Sequence, residues 1–342
     1  MKASPALKKA ATALLVALAA WFLGRSIARD WPRIREFDWQ VDPLLLAGSI
    51  VALVAVLCWG VFVWSLVLRR FEHAPVRFPT LLRIWFLSNL ARYIPGTVFQ
   101  FLTAAQLSRS AGLSAAVLLT SLLVHTGMSL LSAVVVSAWT LTGPLFPALP
   151  ALPVAVLVTA VAAGFVHPRF LNGALGIIPR LLKKTVIRWN GSWADGLGLL
   201  GLSVVSWAVY GVAYWLFLRS LTAVSIAHLP MLSGVNAFSF LAGWIVWIAP
   251  AGAGPREVAM KSLLLPLLPG GVAAIVAVAA RLWSVAAELL GGALVMVMTR
   301  GAAGRHLPST AETGAAAGGP PPPAPPPLRR RGENSAWGTD RP

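Results

Sequence analysis

Only eleven acidic side chains occur in 342 residues, and two of them, Glu257 and Glu288, lie inside apolar stretches. An ionisable group at membrane depth costs at least about 2.5–3.5 kcal/mol, so it marks a functional site or a buried partner. Arg281 precedes Glu288 by seven residues, which puts both on one face of a helix. Arg256 and Glu257 follow Pro250-Ala251-Gly252-Ala253-Gly254-Pro255, where proline interrupts any helix. A new helix beginning there presents free N–H groups and partial positive charge, which favour anions. Two readings stand: a site for a charged headgroup, or buried ion pairs that only hold helices together. The adjacent Pro-Gly break favours the first, since Gly252 and Gly254 permit close backbone approach.

A second group surrounds Pro95-Gly96: Asn89, Arg92 and Tyr93 precede the break, and Gln100 and Arg109 follow it. Arg92 either meets a lipid phosphate or snorkels to the membrane surface. His125, with Ser121, Ser129 and Ser132 at helical spacing, reads as a hydrogen-bonded packing histidine in preference to a proton relay. Most of the fifteen tryptophans read as interface anchors, whereas Trp244 and Trp247 are placed to line a cavity. Enzyme signatures are scarce, with no Gly-x-Ser-x-Gly, His-Glu-x-x-His or P-loop. Glu36-x-Asp38 is the one pair with which a membrane-embedded glycosyltransferase would hold metal and sugar phosphate. Cys58 is the single cysteine, which excludes a disulfide and a cysteine-based metal site. No cofactor or metal is called for.

The elements that must position these residues are membrane helices. The chain is 57% hydrophobic and 11% charged, against about a quarter charged in soluble domains. Its net charge of +17 sits in short loops beside apolar segments, which is a topology signal rather than a nucleic-acid surface. Those clusters also suit anionic lipid headgroups. Six segments read as spans, at about 7–24, 43–68, 113–141, 151–166, 196–218 and 272–298. Two more, 81–107 and 231–268, are broken at residues 93–96 and 249–255. The arm 81–94 reaches about 21 Å and the arm 256–268 about 20 Å at 1.5 Å per residue, short of a roughly 30 Å core. Both broken stretches are therefore expected to be re-entrant, although 231–249 is long enough to span alone.

The predicted fold is an all-α polytopic membrane protein with six spans plus two re-entrant broken hairpins. The breaks at Pro95 and Pro250 lie 155 residues apart and enter from opposite faces. This makes an inverted repeat of halves about 43–141 and 196–298, within a domain 1–300. The basic loops 69–83 and 167–195 and both termini then fall in the cytoplasm, while four Arg in 25–42 fall outside. Residues 301–342, with Pro320–Pro323, Pro325–Pro327 and Arg329-Arg330-Arg331, read as a disordered tail. A passive tail is the simpler reading; a protein partner with a proline-binding module is the other.

Ala91-Arg92-Tyr93-Ile94-Pro95-Gly96-Thr97-Val98-Phe99-Gln100, then Ser108-Arg109-Ser110-Ala111-Gly112-Leu113-Ser114, resembles the flippase-like family of the lysylphosphatidylglycerol synthase transmembrane domain. Pro250-x-Gly252-x-Gly254-x-Arg256-Glu257 looks like its second signature, and Arg281 with Glu288 fits its last span. The resemblance covers roughly residues 10–300. Phe99 stands where a Trp is common, and Ala251 and Pro255 replace the usual Gly and aliphatic residue. The soluble domain that transfers lysine from aminoacyl-tRNA has no counterpart, so synthase activity is not carried over. What the resemblance implies is a lipid flippase of the bacterial cytoplasmic membrane. Its substrate contacts would be Asn89, Arg92, Tyr93, Pro95, Gly96, Gln100, Arg109, Pro250, Gly252, Gly254, Arg256, Glu257, Arg281 and Glu288. Its partners would be membrane lipids, with a non-transporting membrane scaffold as a further alternative.

Overall fold

Helices begin where the sequence supplies caps. Asp42 accepts hydrogen bonds from the amides of Leu44 and Leu45, and Pro43, which has no N–H to leave unpaired, opens helix α3, Pro43–Leu68. Ser192 and Asp195 close a reciprocal capping box on α9, Trp193–Arg219. Gly112, at φ +73°, ends α5, Val98–Ser110, in the left-handed conformation that glycine adopts without strain.

The computed structural model describes residues 21–71, 76–91, 98–145, 147–181, 187–245 and 254–303, and these contain helices and no strand. Besides the three helices above they form α1 (21–29), α2 (Trp31–Arg35), α4 (Phe78–Ala91), α6 (Ala115–Leu145) and α7 (Ala151–Phe165). The remainder are α8 (Pro168–Leu181), α10 (Leu229–Ile245), α11 (Pro255–Leu264) and α12 (Gly270–Ala303). The chain divides into two compact units, Met1–Arg300 and Gly301–Pro342.

Five segments are long and apolar enough to cross a membrane: Pro43–Leu68, Ala115–Gly143, Trp193–Arg219, Ile226–Ile245 and Gly270–Thr299. Four coincide with predicted spans. The fifth is the first arm of the second broken stretch, which with its preceding 3₁₀ turn has the length to cross by itself. The predicted span 151–166 appears as α7 with nearly those bounds, too short to cross alone, and the chain bends by 65° into Pro168–Ile177. Pro168 explains the bend: it has no N–H to continue α7 and is pre-set for the first position of α8. Taken as one bent unit, the pair makes a sixth candidate span. The basic loop 167–195 is therefore not all loop; it contains α8, whose Asn172 side chain pairs with both backbone groups of Trp189. The span 7–24 lies almost wholly outside the described residues, as does the tail from 304. Helices α4 and α5 have 14 and 13 residues and so reach only about 20 Å each.

Four apolar clusters pack the described helices, and two of them bear on the site. One joins α3, α9, α10, α11 and α12 around Trp283, whose ring stacks on Phe217 at 5.0 Å and whose indole N–H donates to Ser49 Oγ at 3.0 Å. The other joins α3, α4, α5 and α6, with buried Trp64 donating to Ser121 Oγ at 3.0 Å. Gly291 lets α12 dock on α4, since a Cβ there would overlap the Phe86 ring. At one end Arg70, just after α3, meets Asp195 of α9 at 2.6 Å.

Candidate functional site

The start of α11 follows from one glycine and one acid. Gly254 sits at φ +99°, ψ −74°, a conformation closed to residues with a Cβ, and Pro255 then opens the helix. Glu257 turns back over the first turn, and its Oε2 accepts the Gly254 N–H at 2.6 Å. The positive end of α11, predicted to await an anionic ligand, is thus complemented by the protein's own carboxylate. The second oxygen, Oε1, lies 3.7 Å from an Arg281 guanidinium nitrogen on α12. Glu257 is buried, so this contact joins α11 to α12 where water is scarce.

Arg256 points elsewhere, donating to Tyr210 Oη on α9 at 3.3 Å. It lines a cavity of about 290 Å³ together with Glu288, two turns along α12 from Arg281. Helices α4 and α5 contribute Asn89 and Gln100, which are tied to each other by a 2.8 Å bond from Gln100 Nε2 to Asn89 Oδ1. The bond ties the last turn of α4 to the first turn of α5. Helix α6 contributes His125, Thr126 and Ser129, and α9 contributes Ser203, Ser206, Trp207 and Tyr210. Trp85 of α4 and Trp244 of α10 supply further aromatic wall.

Of the predicted site residues, Asn89, Gln100, Arg256 and Glu288 are brought to the cavity, and Gly254, Glu257 and Arg281 form the adjoining brace. Arg109 is exposed at the end of α5 and does not line the cavity. Arg92, Tyr93, Pro95, Gly96, Pro250 and Gly252 lie outside the described residues, as does Trp247. The serines near His125 serve tryptophans instead: Ser121 accepts from Trp64, and Ser132 accepts from Trp207. His125 Nδ1 is buried with no hydrogen-bond partner among the described residues, so the predicted hydrogen-bonded packing role does not hold for that atom.

The α9 contribution was missed, although the sequence carries its signal. Ser203, Ser206, Trp207 and Tyr210 recur at i, i+3, i+4 and i+7, a polar stripe along one face of an apolar helix. A half-buried phenol also favours a partner for its hydroxyl, and here Tyr210 receives Arg256.

Set beside known proteins, residues 9–292 match the family described as the lysylphosphatidylglycerol synthase TM region. No curated protein and no solved structure matches the chain.

Proposed function

The chain belongs to the lysylphosphatidylglycerol synthase TM-region family, a membrane domain related to lipid handling, and on that premise we propose that it is a flippase-like transporter. It moves an amphiphile with a polar or anionic headgroup across the bacterial cytoplasmic membrane. One observation carries this reading: a largely apolar cavity into which Arg256, Glu288, Asn89 and Gln100 converge, among helices with apolar outer faces. A headgroup stripped of water is tolerated in a bilayer only where such groups replace its hydration.

Arg256 is the phosphate contact, through charge-assisted hydrogen bonds. Glu257 and Arg281 brace α11 against α12, and Glu288 supports an arginine or carries a coupling proton. The short arms α4 and α5 form one re-entrant hairpin, α10 and α11 its inverted counterpart, and the cavity lies between them. Residues 1–300 carry this activity. The outer-loop acids fit an enzyme less well, since Glu36 and Asp38 are exposed and Asp38 accepts a 2.7 Å bond from neighbouring Gln40.

Proteoliposomes with tail-labelled fluorescent phospholipids provide the test. Protein-dependent exposure of inner-leaflet lipid to an impermeant reductant is the expected result; if no lipid crosses faster than in empty vesicles, the proposal falls.

The orientation is tested separately. Single cysteines in 76–80 and 187–191, in a Cys58→Ala background, should resist an impermeant thiol reagent in intact cells, because the adjoining Lys/Arg clusters stay cytoplasmic. Labelling at 187–191 from outside would overturn the double re-entrant arrangement.

A further inference from the structure

Most hydrogen-bonding groups around the cavity are neutral, and their donors and acceptors are unequally engaged. Ser88, Ser203 and Ser206 donate their hydroxyl protons to the carbonyls of Trp85, Leu199 and Leu202. A hydroxyl that donates to its own helix retains lone pairs, so the Ser88 and Ser203 oxygens remain acceptors, while Ser206 Oγ already accepts the Trp59 indole N–H at 3.0 Å. Gln100 Nε2 is engaged by Asn89 Oδ1, which leaves the Gln100 oxygen as another acceptor and the Asn89 amide N–H groups as donors. His125 lines the same cavity, its Nδ1 buried and without a partner among the described residues, while its ring packs edge-on to Trp85 at 5.4 Å. With 6% of its surface exposed, His125 is held in place at an unmet hydrogen-bonding cost.

This inventory discriminates among headgroups. A bare phosphate would be held by Arg256 but, offering only acceptors, would leave the serine oxygens unmatched. A quaternary ammonium suits the tryptophans but would strip water from the neutral polar groups and replace none of its bonds. An aminoacyl ammonium calls for surplus negative charge, whereas Glu288 is matched on the same lining by Arg256. A polyhydroxylated ring supplies O–H donors to the serine and glutamine oxygens and a hydroxyl to His125. Its C–H face lies against an indole, whose π face is electron-rich. The volume of about 290 Å³ is at the small end of the roughly 300–1,000 Å³ typical of ligand sites, room for one ring rather than a whole lipid.

We propose that the headgroup this cavity takes is an uncharged polyhydroxylated ring borne on a phosphate, a glycosyl or cyclitol phosphate, with His125 as a direct contact of the ring. The inference rests on the proposed lipid transport and specifies its substrate class. Arg256 holds the phosphate, while His125, Ser88 and Ser203 hold the ring.

The test places the full-length protein in nanodiscs with equal amounts of five lipids. They are phosphatidylinositol, a polyprenyl phosphoglucose, phosphatidylglycerol, an aminoacyl phosphatidylglycerol and phosphatidylcholine. Lipids retained through purification are then counted by mass spectrometry. One ring lipid should be retained about tenfold over phosphatidylcholine, and which one it is tells cyclitol from sugar. His125→Ala should cut that enrichment roughly fivefold to tenfold, while His125→Gln, which keeps a polar group, should retain part of it. Thermal unfolding of each variant shows that it is folded. Equal retention of all five lipids, preference for a ringless lipid, or unchanged enrichment in folded His125→Ala would overturn the proposal. Lipid movement in proteoliposomes without ring preference sinks only this inference; ring retention without movement sinks the transport reading.

Discussion

Glu257→Gln is expected to reduce lipid movement by about a hundredfold while leaving the protein folded and inserted. Glutamine keeps the volume of the side chain and an oxygen that accepts the Gly254 N–H, so the first turn of α11 is preserved. What disappears is the negative charge 3.7 Å from Arg281. That charge is half of the brace between α11 and α12, and breaking a buried ion pair costs about 3–5 kcal/mol. If only about 3 kcal/mol of this falls on the transport step, the rate drops roughly a hundredfold. The measurement is the initial rate of fluorescent lipid movement, with a thermal melt of the same sample. Glu36→Gln with Asp38→Asn, in the exposed segment between α2 and α3, should move lipid at the wild-type rate. The reverse pattern, with Glu257→Gln active and the double variant inactive, would support the glycosyltransferase alternative and end the transport mechanism.

Gly254→Ala should be nearly as damaging, for a backbone reason. At φ +99° any Cβ introduces strain of about 1–3 kcal/mol whatever space surrounds it. Relief requires the start of α11 to rotate, and that start carries both Arg256 and Glu257. Arg256 would leave Tyr210 and Glu257 would leave Arg281 together. Transport is expected to fall at least tenfold, with a melting temperature lower than wild type. Gly201→Ala on α9 is the control, because a Cβ there meets nothing within 4 Å; it should be neutral or slightly stabilising, since alanine favours a helix interior over glycine. A Gly254→Ala protein that transports and melts like wild type would show that this glycine does not set the geometry.

The roles of these residues also show where local sequence information ends. Membrane crossing is legible because it depends on the apolar content of about 20 consecutive residues, so α3, α6, α9 and α12 appear nearly at their final bounds. The start of α11 is legible too: Gly254-Pro255-x-Glu257 contains a flexible joint, a first-turn residue and a capping acid within four positions. Arg281 and Glu288 share a helical face by spacing alone. The end of α7 is legible as well, since the apolar run 151–166 stops just before Pro168; the 65° bend into a further helix was not read from it.

What no local pattern carries is the meeting of residues far apart in the chain. That Tyr210 takes Arg256, that Gln100 bonds Asn89, and that Arg281 rather than a ligand faces Glu257 depend on how α9, α4, α5 and α12 pack against one another. That packing is decided by close contacts such as Gly291 against Phe86 and Trp283 against Phe217 and Ser49. In a bilayer every outer face is equally apolar, so hydropathy distinguishes membrane from water but not one helix partner from another. The sequence by itself determined a helical membrane domain and the local chemistry of its breaks. Only the tertiary structure, through shape complementarity and buried hydrogen bonds, decided which of those groups surround one cavity.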